Sequence, residues 1–150
     1  MGSSCVSSLY HVVFSTKERK RTLTPELRER LWPFIGGIAR NNRMKALSIG
    51  GVEDHVHILL SMPSTLDIAK AVKLIKGGSS TWIHDEFPEY RHVYWQEGYG
   101  AFSIGVSQIA DTVRYIERQA EHHRQTTFQD EFRAILKRHD IEFDERYVWG

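Results

Sequence analysis

The amino-acid sequence predicts one α+β domain built on an antiparallel sheet. Runs of aromatic and β-branched residues alternate with runs whose apolar residues recur every three or four positions, the spacings of strands and helices respectively. Two strand-like runs flank the turn at Gly50-Gly51, and strands joined so closely pair most simply as an antiparallel hairpin. A chain of 150 residues, 41% hydrophobic and 26% charged, can bury one core. We therefore expect a single domain over residues 9–150 and a disordered or tag-like N-terminus over residues 1–8.

The first part of the chain is predicted to contain three strands and one helix. The helix begins at Thr24, a favoured N-cap residue, continues with Pro25 at the first helical position, and ends near Asn41. The strands are predicted at residues 9–16, 44–49 and 55–62.

A second helix is predicted to open at Ser64, because Asp67 follows it at the spacing of a capping box. Residues 77–80 read Gly-Gly-Ser-Ser and are expected to interrupt or bend this helix. The remaining predicted elements are strands at 93–96 and 99–104, a helix that follows Gly105 or Ser107 and runs to about His123, and a last helix that starts at Thr127. This order favours an α+β sandwich with its helices on one face of the sheet, in a split βαβ or ferredoxin-like arrangement.

Two histidines lie two residues apart in the third predicted strand. Successive strand residues point to opposite faces, so His55 and His57 share one face, roughly 7 Å apart by the strand rise, while Val56 points into the core. Two imidazoles so placed could converge on one metal ion. The alternative is that they pack or hydrogen-bond within the fold, which is what we expect of His11 in the first strand.

A tyrosine and a glutamine share the polar face of the third predicted helix. On a wheel of about 100° per residue, Tyr115 falls well away from the apolar stripe, and Gln119 lies one turn later, about 40° round. Tyr115 is therefore not needed for the core contact of its own helix, although it could pack against another element or a partner chain. The apolar stripe is formed by Ile109, Val113, Ile116 and Ala120.

Together these residues suit metal-assisted phosphodiester transfer. A phenol is a weak nucleophile at neutral pH because its ordinary pKa is about 10. A divalent ion offsets this weakness by polarising the scissile phosphate and neutralising the charge that develops on it. His55, His57 and Gln119 would be neutral ligands that leave the full charge of the ion available, and they would accept Mg²⁺, Mn²⁺ or Zn²⁺.

Positive charge is concentrated in the first part of the chain. Residues 1–84 hold 12 Lys and Arg against 6 Asp and Glu, whereas residues 85–150 hold 8 against 13. Such an asymmetry indicates a polyanionic partner, although scattered solvated charges would give the same counts. The candidate residues for contacts with such a partner are Lys17, Arg19, Lys20, Arg21, Lys73 and Lys76.

Composition also bounds the cellular setting. Cys5 is the only cysteine of the 150 residues, so no disulfide can form among them, and a reducing compartment fits. No apolar run approaches the length of a membrane span, and no signal peptide is evident. We therefore expect a cytoplasmic protein with no membrane partner.

The motifs resemble those of a known enzyme family. His55-Val56-His57 resembles the HUH motif (His, hydrophobic residue, His) of single-tyrosine HUH transposases, the small transposases of bacterial or archaeal insertion sequences of the 200/605 type. The segment Tyr115–Gln119 is similar to the tyrosine helix of that family, with a nucleophile and a metal-binding glutamine four residues on. The resemblance covers about residues 9–149, and it includes the segments 10–17, 96–103 and 121–123.

The resemblance implies an HUH endonuclease fold and a specific reaction. Tyr115 would attack a phosphate of single-stranded DNA and form a 5′-phosphotyrosine intermediate, and strand transfer would follow. His55, His57 and Gln119 would bind a divalent metal, with Mg²⁺ or Mn²⁺ expected. The enzyme would recognise DNA hairpins at element ends as a homodimer, in which the tyrosine helix of one subunit can serve the histidines of the other.

Three alternatives are open at this stage. A domesticated relative that processes repeated palindromic sequences of its host genome would use the same residues. A non-catalytic nucleic-acid-binding or metal-binding module would not need Tyr115 at all. If the protein is catalytic but Tyr115 is not the nucleophile, Tyr99 or Tyr94 would be the next candidate. Two-histidine phosphoesterases are disfavoured, because the chain has no suitable pair of separated H-x-[ST] motifs.

Overall fold

The computed structural model of the protein describes residues 2, 4–123 and 126–150. Met1 and Ser3, which belong to the predicted N-terminal segment, lie outside the described residues. The elements are β1 (Leu9–Ser15), α1 (Pro25–Asn41), β2 (Lys45–Gly51), β3 (His55–Ser61), α2 (Ile68–Glu86), β4 (Gly100–Ile104), α3 (Ile109–Glu117), α4 (Gln119–His122) and α5 (Phe128–Arg138), with short 3₁₀ turns at Lys17–Arg19, Pro88–Tyr90 and Val106–Gln108. No helix among the described residues is both long and apolar enough to cross a membrane.

The four strands form one antiparallel sheet in the order β2-β3-β1-β4. This is the order of a split βαβ arrangement, so the predicted α+β, ferredoxin-like sheet is confirmed. Strand β3 lies inside the sheet, between β2 and β1, and its register places His57 opposite Val13 and His55 opposite Ser15. Both histidines are therefore held by backbone pairing on either side.

The strand predicted at 93–96 does not form among the described residues. Trp95 makes only an isolated bridge to Thr16. At the neighbouring position the side chain of Gln96 replaces a strand backbone, because its Oε1 accepts the Ser15 N–H at 2.6 Å. The segment thus follows the end of β1 through single hydrogen bonds instead of a continuous ladder.

Helices cover both faces of the sheet, so the prediction of helices on one face is wrong. On one face, α1 and α2 pack on the strand residues that point away from His55 and His57, among them Phe14, Val56 and Ile58. On the other face α5 packs on Val13 and Phe102. The physical reason is that this second face is also lined by buried strand side chains, which need a cover of their own. The α5 residues that supply it are Phe128, Phe132, Ile135 and Leu136.

Two glycines lie at close helix approaches. A Cβ at Gly50 in β2 would lie 2.5 Å from the carbonyl oxygen of Ile116 in α3, so only glycine lets this helix approach the strand so closely. A Cβ at Gly78 would lie 2.9 Å from Ile38 Cδ1 in α1. Gly78 therefore serves helix packing, and α2 runs unbroken through residues 77–80, where an interruption or bend was predicted.

Of the four predicted helix starts, those at Thr24 and Thr127 are correct, and a 3₁₀ turn that follows Gly105 leads into α3 at Ile109. Thr24 accepts the N–H of Leu27 at 3.2 Å, and Thr127 accepts the N–H of Asp130 at 3.1 Å. The second helix starts later than predicted. Asp67, not Ser64, is its N-cap, because the Asp67 carboxylate itself accepts the N–H of Lys70 at 2.7 Å.

Candidate metal and nucleophile site

Strand β3 presents His55 and His57 to the face covered by α3, α4 and α5. Both residues are fully buried. Because they belong to an inner strand, their backbones are held between two neighbouring strands. His11 of β1 is also buried and projects from the same face. The alternation of side chains along the strands therefore places three imidazoles on the same face of the sheet.

The tyrosine helix ends earlier than the sequence predicts. Helix α3 stops at Glu117, and Arg118 leaves the helical conformation with φ −97° and ψ 16° before α4 resumes at Gln119. After this break Gln119 is buried at 1% exposure and its Oε1 lies 2.9 Å from His55 Nε2. The ring of Tyr115 packs edge-on against His57, with 5.6 Å between the ring centroids. The structure thus brings His55, His57, Tyr115 and Gln119 together within one chain.

A carboxylate that sequence reasoning missed lies at the centre of this group. Glu131 comes from α5, and its side chain is 1% exposed. Its Oε1 lies 3.0 Å from His57 Nε2 and 3.4 Å from His55 Nε2. Its Oε2 accepts the hydroxyl of Tyr115 and, at 3.1 Å, the amide N–H of Gln119.

The position of Glu131 in the sequence marks it as a candidate site residue, although its charge alone would suggest an exposed side chain. Glu131 lies three residues after Phe128 and four before Ile135, so it belongs to the buried stripe of α5. A carboxylate on the apolar stripe of a helix needs a partner in the interior, since a buried charge is costly unless it is paired. Such a position marks a candidate site residue.

Two further histidines complete the surroundings of Glu131. His123 Nε2 lies 3.1 Å from Oε1, and His122 Nε2 lies 3.3 Å from Oε2. Among the described residues neither of these buried nitrogens has a hydrogen-bond partner of acceptable angle. Two buried nitrogens without partners beside a buried carboxylate are expected at a site that binds a cation.

The ligand chemistry of the cluster fits a divalent metal. One ligand atom from each of His55, His57, His123 and Glu131 can be chosen so that all lie within 4.8 Å of one another. Ligands at right angles around an ion that they bind at about 2.1 Å are about 3.0 Å apart, close to the separations between Glu131 and the imidazoles. Imidazole nitrogens and carboxylate oxygens are ordinary ligands of Mn²⁺ and related ions. This buried group of three histidines and one glutamate could therefore hold a metal ion.

Each strand histidine has an outer partner that fixes its ring. His55 Nδ1 lies 2.7 Å from Asp54 Oδ1, and His57 Nδ1 lies 2.7 Å from His11 Nε2. In both cases Nδ1 faces the partner and Nε2 faces Glu131. Metal-binding histidines usually have such outer partners, which set the tautomer and the ring orientation. His11, expected to be packed or hydrogen-bonded, is thus hydrogen-bonded to a site residue.

Burial controls the protonation of the cluster. Burial lowers the pKa of His57 to about 4, with neighbouring charges partly opposing it, and burial together with His57 lowers the pKa of His11 to about 3. Both imidazoles are therefore neutral at pH 7. Burial opposes the ionisation of Glu131, but the nearby nitrogens of His123 and His57 outweigh it and hold the pKa of Glu131 well below its usual range. Burial and the Glu131 charge raise the pKa of Tyr115 above its ordinary value, so its phenol is protonated.

Two cavities open beside the cluster. One, of about 630 Å³, is lined by Tyr115 with Arg114, Arg118 and His122. The other, of about 710 Å³, lies on the side of His123 and Asp54 and is lined by Arg21 and Arg28 as well. Both cavities reach site residues and both carry arginines.

The structure places the predicted DNA-contacting residues in different parts of the molecule. Arg21 lines the larger of these cavities. Lys73 is exposed on α2, whose core contacts lie on the opposite face of the sheet from His55. Lys76 Nζ donates to the carbonyl oxygens of Gln96, Glu97 and Gly98 at 2.8, 3.2 and 2.6 Å, and burial lowers its pKa to about 8.

The other basic candidates lie on the turn after β1. Lys17 and Lys20 are exposed, and Lys20 Nζ lies 3.4 Å from Glu18 Oε2. The guanidinium of Arg19 lies over the ring of Trp149, 5.9 Å from its centroid. Of the six candidates, Arg21 is therefore the one that the structure places at a cavity of the cluster.

The fold and the site together define a class of protein. An antiparallel sheet with helices on both faces, a His-hydrophobic-His pair on an inner strand and a tyrosine on the covering helix constitute an α+β fold of the HUH type. A family model described as "Transposase IS200 like" matches residues 4–119, and the chain belongs to this family of transposases. The match ends at Gln119, so His123, Glu131 and all of α5 lie beyond it.

Curated relatives agree with the family. The chain is 26% identical over 117 residues to the transposase for insertion sequence element IS200 of Salmonella typhimurium, which covers 75% of this chain and 76% of the relative. It is 27% identical over 115 residues to the ISDra2 transposase TnpA of Deinococcus radiodurans, covering 73% of this chain and 82% of that relative.

Solved structures show the same fold. A crystal structure described as that of a transposase from Deinococcus radiodurans R1 has a TM-score of 0.62 and 26% identity, and covers 79% of this chain and 96% of its own. A REP-associated tyrosine transposase bound to a REP hairpin has a TM-score of 0.60 over 82% of this chain and 74% of its own. At 16% identity this second likeness shows the fold alone.

Proposed function

We propose that this transposase cleaves and rejoins single-stranded DNA through Tyr115, with a divalent ion held by His55, His57 and Gln119. The observation that carries the proposal is the meeting of residues far apart in sequence. Gln119 Oε1 reaches His55 Nε2 at 2.9 Å, and the Tyr115 ring packs on His57. A phenol beside the imidazole of His57, on a residue that lines a cavity, is placed for attack on a bound phosphate.

The cleavage step conserves atoms and charge. The Tyr115 oxygen attacks the phosphorus and forms the phosphotyrosine bond, while the bond from phosphorus to the 3′ oxygen breaks. The phenol loses its proton, and the leaving 3′ oxygen gains one and becomes a free hydroxyl. Because one ester replaces another, a later attack by a 3′-hydroxyl on the phosphotyrosine can rejoin strands without an external source of energy.

His55 and His57 would hold the ion through Nε2, and Gln119 through Oε1. When bound, an ion such as Mg²⁺ or Mn²⁺ would polarise the phosphate and neutralise the charge that develops on it. Burial lowers the pKa of His57 to about 4, so its imidazole is neutral at pH 7 and keeps a lone pair free for the ion.

The substrate we propose is single-stranded DNA with hairpin ends. The structural neighbour bound to a REP hairpin supports a hairpin ligand, and a domesticated relative acting on host palindromes would use the same site residues. We also propose a cytoplasmic homodimer. Because Tyr115 meets the histidines of its own chain, each subunit could act without exchanging its tyrosine helix.

The test is covalent capture of DNA. Wild-type chain, Tyr115→Phe and Tyr99→Phe are incubated with a labelled single-stranded hairpin and Mg²⁺, and adducts are separated on a denaturing gel. We expect Tyr115→Phe to bind the hairpin in a gel shift but to form no adduct, and Tyr99→Phe to react as the wild type. An undiminished adduct in Tyr115→Phe contradicts the proposal, and absence of any wild-type adduct favours a non-catalytic binding module.

A further inference from the structure

We propose that Glu131 joins the metal ion to the nucleophile, with Oε1 as a ligand of the ion and Oε2 as the acceptor that orients the Tyr115 hydroxyl. The inference rests on the proposed function for the identity of the nucleophile. It adds to the site a residue from α5, a helix that lies outside the matched family region.

The two oxygens of Glu131 have different neighbours. Oε1 faces imidazole nitrogens, at 3.0 Å from His57, 3.1 Å from His123 and 3.4 Å from His55. Oε2 faces the reaction side, where it accepts the Tyr115 hydroxyl and the Gln119 amide. A carboxylate with a single role would not need different neighbours for its two oxygens.

The imidazole side has the composition of a metal site. The Nε2 atoms of His55 and His57 point at Oε1 because Asp54 and His11 hold their Nδ1 atoms. The Glu131 side chain is 1% exposed. Burying a carboxylate costs free energy unless it is paired, and a divalent cation among the same atoms would offset that cost.

The nucleophile side is organised by the amide of Gln119. Its Oε1 lies toward His55, and its Nε2 lies 3.1 Å from Glu131 Oε2. This orientation leaves the amide oxygen on the imidazole side and makes the amide nitrogen a second donor to the oxygen that holds Tyr115. Glu131 and Gln119 therefore fix each other, and the hydroxyl of Tyr115 is held by the residue that also faces the ion site.

This role changes the charge of the proposed ligand set. The histidines and Gln119 are neutral ligands, whereas Glu131 adds a negative charge from a separate helix. Metal affinity should therefore depend on the docking of α5, and all the ligands come from one chain.

The test is metal binding by the full chain. Mn²⁺ affinity is measured by titration calorimetry for the wild type, E131Q and D130N. Glutamine keeps the shape of Glu131 but removes its charge, and Asp130 is an exposed neighbour on the same helix. We expect E131Q to lose at least about tenfold in Mn²⁺ affinity, as removal of residues around metal sites does, and D130N to match the wild type. Folded E131Q that binds Mn²⁺ as the wild type does overturns the inference.

A second measurement avoids the variant altogether. In a crystal structure of the wild-type chain with Mn²⁺, the anomalous peak should lie roughly 2.3 Å from Glu131 Oε1, a bonding distance, and a peak beyond that reach overturns the inference. The outcome is separable from the proposed function. Glu131-dependent Mn²⁺ binding without any DNA adduct supports the metal-ligand role of Glu131 and refutes the proposed function. A DNA adduct with unchanged Mn²⁺ affinity in E131Q supports the proposed function and overturns the inference.

Discussion

Gln119 Oε1 lies 2.9 Å from Nε2 of His55, a strand residue 64 positions earlier in the chain. The contact forms because α3 stops at Glu117 and Arg118 turns the chain before Gln119. The Gln119 amide is thereby directed away from the helix surface and toward the strand histidines. This relationship links the tyrosine helix to the sheet at the point where we propose the ion to bind.

Removal of either strand imidazole should abolish cleavage. We expect His55→Ala and His57→Ala each to lower the rate of DNA adduct formation by roughly 100-fold or more, because each deletes a proposed metal ligand. His92→Ala is the control, since His92 is exposed and is not a member of the cluster. Circular dichroism should show that all three variants fold. Metal-dependent cleavage at the wild-type rate in both buried variants would rule out the chelate.

His11 should matter through His57. To bind a metal through Nε2, a neutral His57 must carry its proton on Nδ1 and donate it to His11 Nε2, 2.7 Å away. We expect His11→Phe, which keeps a ring but loses the acceptor, to weaken Mn²⁺ binding by about tenfold. His11→Gln, which restores an acceptor, should recover part of that affinity. Equal affinities in the wild type and His11→Phe would show that His11 only fills space.

The local patterns of the sequence placed most of the candidate site. The two-residue period of a strand put His55 and His57 on one face, and the helical period placed Tyr115 away from the stripe that packs on the sheet. The structure brings both predicted groups together. Each group could be predicted because it follows from geometry within a few residues. Their catalytic and metal-binding roles stay predictions until the experiments are done.

Features that depend on long-range packing could not be predicted from the sequence. Glu131 reaches the histidines only because α5 docks on the second face of the sheet, and no local pattern says which face a helix covers. The strand predicted at 93–96 failed for a similar reason, since the Gln96 side chain competes for the Ser15 N–H. The late start of α2 at Asp67 shows two capping candidates in competition, which tertiary context decided.

Acid should destabilise the metal-free fold. The pKa values of His57 and His11 are about 4 and 3 in the folded chain, against about 6.5 for an unfolded imidazole. Between these values the unfolded chain binds protons that the folded chain does not, so the free energy of unfolding falls as the pH drops below about 6.5. For His57 alone the loss by pH 4 is on the order of 3 kcal/mol.

Urea unfolding in the presence of a chelator, between pH 7.5 and 4.5, measures this dependence. We expect the slope of unfolding free energy against pH to decrease in His11→Phe, which removes one of the two buried groups, and to be kept in His92→Ala. A stability that stays constant across this range would contradict burial of neutral imidazoles.

The salt dependence of DNA binding should separate Arg21 from Lys73. Arg21 lines the cavity beside His123, whereas Lys73 lies on the helix that covers the opposite face of the sheet. A side chain that contacts phosphate releases counterions on binding, so its removal should flatten the plot of log affinity against log salt by about one unit of slope. We expect that change in Arg21→Ala and an unchanged slope in Lys73→Ala, measured by fluorescence anisotropy with a labelled hairpin. The reverse result would place the DNA on the α1–α2 side of the molecule, away from Tyr115.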